Sequence, residues 1–101
     1  MLAELPIMPL GKGEHLSDHV AEVLKLVDTS GLDYRLHAMG TEVEGSWDEV
    51  MGLIRRCHQR MAELCGRVYT QIRIDDVPGR TGMIASKIGS VECKIGKKLK
   101  T

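Results

Sequence analysis

The chain contains no phenylalanine, and Phe, Trp and Tyr together make up 3% of its 101 residues. A core built without aromatic bulk has to be filled by Ile, Leu, Val and Met. Neither charge is in excess, since Lys plus Arg and Asp plus Glu each number 14. Affinity for nucleic-acid phosphates or an anionic membrane needs a basic surplus, so neither partner is expected. A net charge of zero also favours self-association. No apolar run is long enough to span a bilayer, and the N-terminus shows no charged region followed by an apolar stretch. Cysteine is scarce and odd in number: Cys57, Cys65 and Cys93, with no Cys-x-x-Cys pair. That pattern fits reduced thiols in a cytoplasmic protein rather than a disulfide framework.

What is present centres on Gly31 to Asp48, GLDYRLHAMGTEVEGSWD. Tyr34, Leu36 and Ala38 alternate with Asp33, Arg35 and His37, the period of a half-buried strand. A Met-Gly-Thr turn follows, for which Gly40 supplies conformational freedom. Thr41, Val43 and Gly45 then alternate with Glu42 and Glu44. Ser46 with Glu49 three residues later is a capping box that opens a helix.

Around this hairpin the remaining elements fall into order. Leu2 to Met8 predicts a strand with Ala3, Leu5 and Ile7 on one face, made irregular or edge-like by Pro6 and Pro9. Leu16, Val20, Val23, Leu24 and Val27 predict a helix from about His15 to Ser30, stopped by Gly31. A second helix runs from Ser46 to about Leu64 on Trp47, Val50, Met51, Ile54, Cys57, Met61 and Leu64. Arg67 to Asp75 predicts a fourth strand. A tail helix on Met83, Ile84, Ile88, Val91 and Ile95 carries two costly glycines, Gly82 and Gly89. Two right-handed crossovers joined by a hairpin give an α+β, ferredoxin-like βαββαβ sandwich. One domain spans residues 1–101, with 81–101 as a C-terminal helical extension. Both main helices cover one face of a four-stranded antiparallel sheet. The other face collects Glu4, Met8, Arg35, His37, Glu42, Glu44, Tyr69, Gln71 and Arg73.

Few residues offer chemistry. Cys57 beside His58 does not make a dyad, because adjacent helical residues point about 100° apart, and Cys57 lies on the apolar stripe. His15 and His19 stand four apart but lack further ligands at defined spacing. Asp75-Asp76 reads as a turn start. The RNA-recognition topology is similar, yet the fourth strand offers Tyr69 and no Phe for base stacking. No base is placed beside a nucleophile, so no enzyme, metal or cofactor is expected. Glu42 and Glu44 on one strand face are open to three readings: solvated acids, inter-subunit ion pairs, or partners for a cationic, amino-substituted ligand.

The run MGTEVEGSWDEV, with GLDY before it and CHQRM and IRIDD after it, resembles the MTH1187/YkoF-like thiamine-binding proteins, long catalogued as an uncharacterised family of the UPF0045/DUF77 type. The resemblance extends from the Pro-Leu-Gly near residue 10 to Ser90-Val91-Glu92. It implies a non-enzymatic carrier of thiamine or its hydroxymethylpyrimidine moiety, assembled as a homodimer or homotetramer. Met39, Thr41 and Glu44 fall on the matching motif and become the first ligand-contact candidates, with His37, Glu42 and Tyr69 behind them. The chain departs from many relatives at Ala38, where they carry Pro, and at Lys12 to His15, which lacks their Ser/Thr cluster. The competing expectation is a structural or regulatory homo-oligomer that uses the polar sheet face as its interface and binds no thiamine.

Overall fold

The computed structural model describes residues 1–10 and 16–101. Its elements are β1 (Leu2–Glu4), β2 (Ile7–Leu10), α1 (Leu16–Asp28), β3 (Asp33–His37), β4 (Gly40–Glu44), α2 (Trp47–Leu64), β5 (Arg67–Thr70), β6 (Arg73–Asp75) and α3 (Met83–Ile95). Four strands pair in the order β3-β4-β1-β6, and β2 pairs with β5. Every pairing is antiparallel, so the architecture is the ferredoxin-like one expected, with the third helix added.

The first and last strands are each broken in two, where the sequence reads as one strand apiece. The register runs straight across the gap, from Glu4↔Arg73 on one side to Ile7↔Thr70 on the other. Within the gap the Gln71 N–H donates to the Pro6 carbonyl at 3.2 Å. The reciprocal bond cannot form, because proline has no N–H. The Leu5 N–H meanwhile donates to the Thr41 carbonyl at 3.0 Å, which keeps this segment tied to β4.

The core lies between the sheet and the two long helices. Ala3, Leu5, Ile7 and Val43 face Val23 and Val27 of α1 and Val50, Leu53, Ile54, Cys57 and Met61 of α2, all of them buried. Leu53 is fully buried although the expected stripe omitted it. Trp47 begins α2 one turn ahead of Val50 and stays 56% exposed, so it does not cap the core. The capping box forms as the sequence suggests: the Glu49 N–H donates to Ser46 Oγ at 3.2 Å, and the Ser46 N–H donates to Glu49 Oε1 at 3.0 Å.

The hairpin departs from the sequence reading in two ways. His37 pairs with Gly40, so the turn consists of Ala38 and Met39, and Thr41 belongs to the strand. Among the described residues positive φ is confined to Gly31, Gly79, Gly82 and Gly96, so Gly40 does not exercise its left-handed freedom. The burial of β3 also runs opposite to expectation. Tyr34 and Leu36 are exposed, whereas Arg35 and His37 are half-covered. β3 is an edge strand, and α1 shields its apolar row only in part.

Candidate functional site

Alternation along β4 distributes its side chains between two environments. Thr41 and Val43 point toward the helices, and Glu42 and Glu44 point to the opposite face. On the helix side, a cleft of about 330 Å³ opens between the β3–β4 hairpin and α1. Its walls are apolar, from Leu5, Ile7, Val20, Leu24, Val27 and Met61, and its rim comes from His37, Met39 and Thr41. This volume sits at the lower end of the range for small-molecule pockets. Met39 is 88% exposed at the turn, free to close over an occupant. Thr41 is almost buried, yet its hydroxyl has no hydrogen-bond partner among the described residues. The hydroxyl can therefore donate to or accept from an occupant of the cleft, on a wall that is otherwise mostly apolar.

The opposite face holds a charged cluster. Arg73 grips Glu4 in a fork, Nη2 at 2.8 Å and Nε at 3.0 Å from Oε1. His37 Nε2 lies 3.4 Å from Glu42 Oε1 and 3.7 Å from Glu4 Oε2. β1 lies between β4 and β6, so of the acids on this face Arg73 meets Glu4 and not Glu42 or Glu44. Tyr69 is half-exposed further along, its hydroxyl accepting from Gln71 Nε2 at 3.3 Å.

Glu44 has a task that sequence reasoning did not anticipate. Its two carboxylate oxygens accept the backbone N–H groups of Met83, at 2.9 Å, and Ile84, at 3.2 Å. The N-cap of α3 is Gly82, which has no side chain to offer, so a carboxylate from β4 satisfies the open N–H groups instead. α3 thereby covers the end of the face expected to be open, burying Leu2, Met83 and Ile84 together. The polar period of β4 marked Glu44 as facing this side, but no local pattern could reveal a partner some 40 residues away.

The six candidates therefore divide. Met39 and Thr41 meet at the cleft; His37 borders it but turns its ring to Glu42 and Glu4 on the far face, where Tyr69 also stands, and Glu44 lies under α3. Cys57 is completely buried, and burial pushes its thiol up to about 11. His15 and the loop at Lys12 to His15 fall outside the described residues, as does the side chain of Met8. Asp75 pairs with Lys87 at 2.5 Å. Among the described residues no three His, Cys, Asp or Glu side chains gather as a metal would require. No described helix is long and apolar enough to cross a membrane.

Similarity to other proteins agrees with this frame. The pattern of the family described as "Thiamine-binding protein" matches residues 3–92. A UPF0045 protein of Mycobacterium tuberculosis is 36% identical over 93 residues, covering 91% of this chain and 91% of that one. A UPF0045 protein of Synechocystis is 32% identical over 93 residues, covering 91% and 77%. The crystal structure of the hypothetical protein MJ1052 from Methanocaldococcus jannaschii superposes with a TM-score of 0.82 at 29% identity, over 89% of this chain and 93% of that one. A putative thiamine biosynthesis/salvage protein from Thermotoga maritima shares the fold, with a TM-score of 0.80 at 19% identity over 89% and 96%. With the motif around Met39 to Val50, the strand order and these matches all in agreement, the chain belongs to the thiamine-binding protein family, the group also catalogued as UPF0045.

Proposed function

We propose that this protein is a non-enzymatic, cytoplasmic binder of thiamine or its hydroxymethylpyrimidine moiety, working as a homodimer or homotetramer. The ligand sits in the cleft between the hairpin and α1. The observation that carries this reading is the unpartnered Thr41 hydroxyl on an otherwise apolar wall of the cleft. An aminopyrimidine has a flat apolar ring edged with donors and acceptors, and it suits such a surface. Met39 supplies a flexible, polarizable cover for the ring. The family description supports the ligand class.

Calorimetric titration of thiamine, and separately of hydroxymethylpyrimidine, into the purified protein tests the reading. Saturable binding at micromolar concentration or tighter is expected from at least one of them. The absence of heat from both, confirmed by unchanged thermal stability at millimolar ligand, would remove it.

One observation favours the alternative of a structural or regulatory homo-oligomer without thiamine. Glu44, the motif carboxylate expected to meet a cationic ligand, is occupied in holding α3. The same titration separates the two readings.

A further inference from the structure

A cation entering the cleft meets no counter-charge there. Among the described residues its lining includes no acid. Burying a charge without a partner is costly, and Glu44, the carboxylate of the motif, is committed to α3. The cleft nevertheless has an outlet. Its residues Val20, Leu24 and Leu36 also line a shallower groove between α1 and β3, which continues to Tyr34, Lys25 and Asp28. The apolar row of β3 that α1 leaves half-open forms one wall of this groove, with Tyr34 38% and Leu36 57% exposed.

The groove ends at a carboxylate with capacity to spare. The Tyr34 hydroxyl donates to Asp28 Oδ1 at 2.6 Å, and the Asp28 side chain makes no other hydrogen bond among the described residues. That bond also pushes the Tyr34 phenol above its ordinary value, so Tyr34 remains the neutral donor of the pair. Asp28 is the last residue of α1. The negative end of a helix dipole gives a carboxylate no support, so helix stability does not explain an acid at this place. Dipole and carboxylate instead add to one local negative field. Lys25, the cation in the lining, does not cancel it, because its Nζ bonds Glu22 Oε1 at 2.9 Å. An aromatic ring beside a free carboxylate oxygen is a setting for an organic cation.

We propose that the groove at Asp28 and Tyr34 is a cation subsite continuous with the cleft, and that it makes the site selective for thiamine over its phosphate ester. The inference rests on the ligand reading proposed above. The neutral aminopyrimidine lies in the cleft against Thr41 and Met39, and the positively charged thiazolium extends over Leu36 towards the Tyr34 ring and the free oxygen of Asp28. A phosphate on the thiazolium side chain would bring negative charge into the same field, with Lys25 already committed to Glu22. Attraction for one form and repulsion for the other act together, and specificity is the difference between them. Because the groove is open to water, the effect is moderate in size and is screened by salt.

Calorimetric titration of thiamine, thiamine monophosphate and hydroxymethylpyrimidine tests it, on the full chain as wild type, Asp28→Asn and Asp28→Lys. Asp28→Asn keeps an acceptor for the Tyr34 hydroxyl and removes the charge. The wild type is expected to bind thiamine about tenfold more tightly than the monophosphate, a margin that shrinks at high salt. Asp28→Asn should cut the ratio of thiamine to hydroxymethylpyrimidine affinity by about threefold, and Asp28→Lys should turn the preference towards the monophosphate. The salt dependence of the wild-type margin reads the same charge without any substitution. A wild type that binds neither thiamine nor hydroxymethylpyrimidine would overturn the ligand reading and this subsite with it. Three results would overturn the subsite alone: hydroxymethylpyrimidine bound without thiamine, thiamine and its monophosphate bound equally, or an Asp28→Asn variant whose affinities for thiamine and hydroxymethylpyrimidine stay in the wild-type ratio.

Discussion

Glu44 holds the start of α3 from a strand that precedes it by some forty residues, one carboxylate accepting the N–H groups of both Met83 and Ile84. The pairing is nearly dry, with Glu44 7% exposed. It replaces the side-chain cap that Gly82 cannot provide.

Replacing Glu44 should therefore act on α3 before it acts on the rest. Glu44→Ala leaves two N–H groups without an acceptor, and a destabilisation of about 1.5–3 kcal/mol is expected for lost bonds to a charged group. Glu44→Gln keeps one acceptor oxygen and should lose roughly half as much. Hydrogen exchange would show the amides of residues 83–88 released in Glu44→Ala while those of α2 remain protected. Equal loss of protection in both helices would contradict the local role.

Thr41→Val removes one hydroxyl at nearly constant volume. The fold should be unaffected or slightly stabilised, because the hydroxyl makes no hydrogen bond among the described residues. Thiamine binding should fall by about tenfold, the equivalent of roughly 1.4 kcal/mol. Calorimetry alongside thermal denaturation separates the two effects. Unaltered affinity would place the ligand away from this wall.

The cysteines should react in a fixed order. Cys93 is exposed and Cys57 is buried, its thiol pushed up to about 11 by desolvation. Brief alkylation at neutral pH, read by mass spectrometry, should label Cys93 and leave Cys57 untouched until the protein unfolds. The raised value also sets a pH dependence. In the unfolded chain this thiol ionises near 9.0, and in the folded one it holds its proton to about 11. Its contribution to stability is thus complete below pH 9 and is lost as pH climbs through that window.

Leu53→Ala should be the costliest single truncation in α2. Leu53 is fully buried at the centre of the sheet–helix core, and a loss of about 2–5 kcal/mol is expected from denaturant titration. Trp47→Ala, at a 56% exposed position, should cost far less despite the larger side chain.

The features legible in the sequence are those governed by neighbours along the chain. Ser46 and Glu49 announce their capping box three residues apart, and Val50 to Met61 announce a buried face by period. Pro6 announces trouble in the first strand, since a missing N–H is a property of the residue alone. Three things depended on tertiary position instead. Tyr34 and Leu36 alternate like a half-buried strand, but β3 is an edge and α1 reaches them only in part. Arg73 and Glu42 share a sheet face by pattern, but only the strand order, with β1 between them, decides that Arg73 pairs with Glu4. Glu44 looked like a wet acid until α3 folded over it. The same limit applies to the site. The motif from Met39 to Glu44 runs along one hairpin, but alternation sends Thr41 to the cleft and Glu44 to the opposite face.

β4 is five residues long and serves both faces of the sheet, with Thr41 on the wall of the cleft and Glu44 on α3. A rigid strand cannot shift on one face without shifting on the other. Any occupant of the cleft that prefers one placement of β4 must bias the hold on α3 by the same free energy, and whatever grips α3 must alter the affinity of the cleft by the same factor. The two surfaces are thermodynamically one variable.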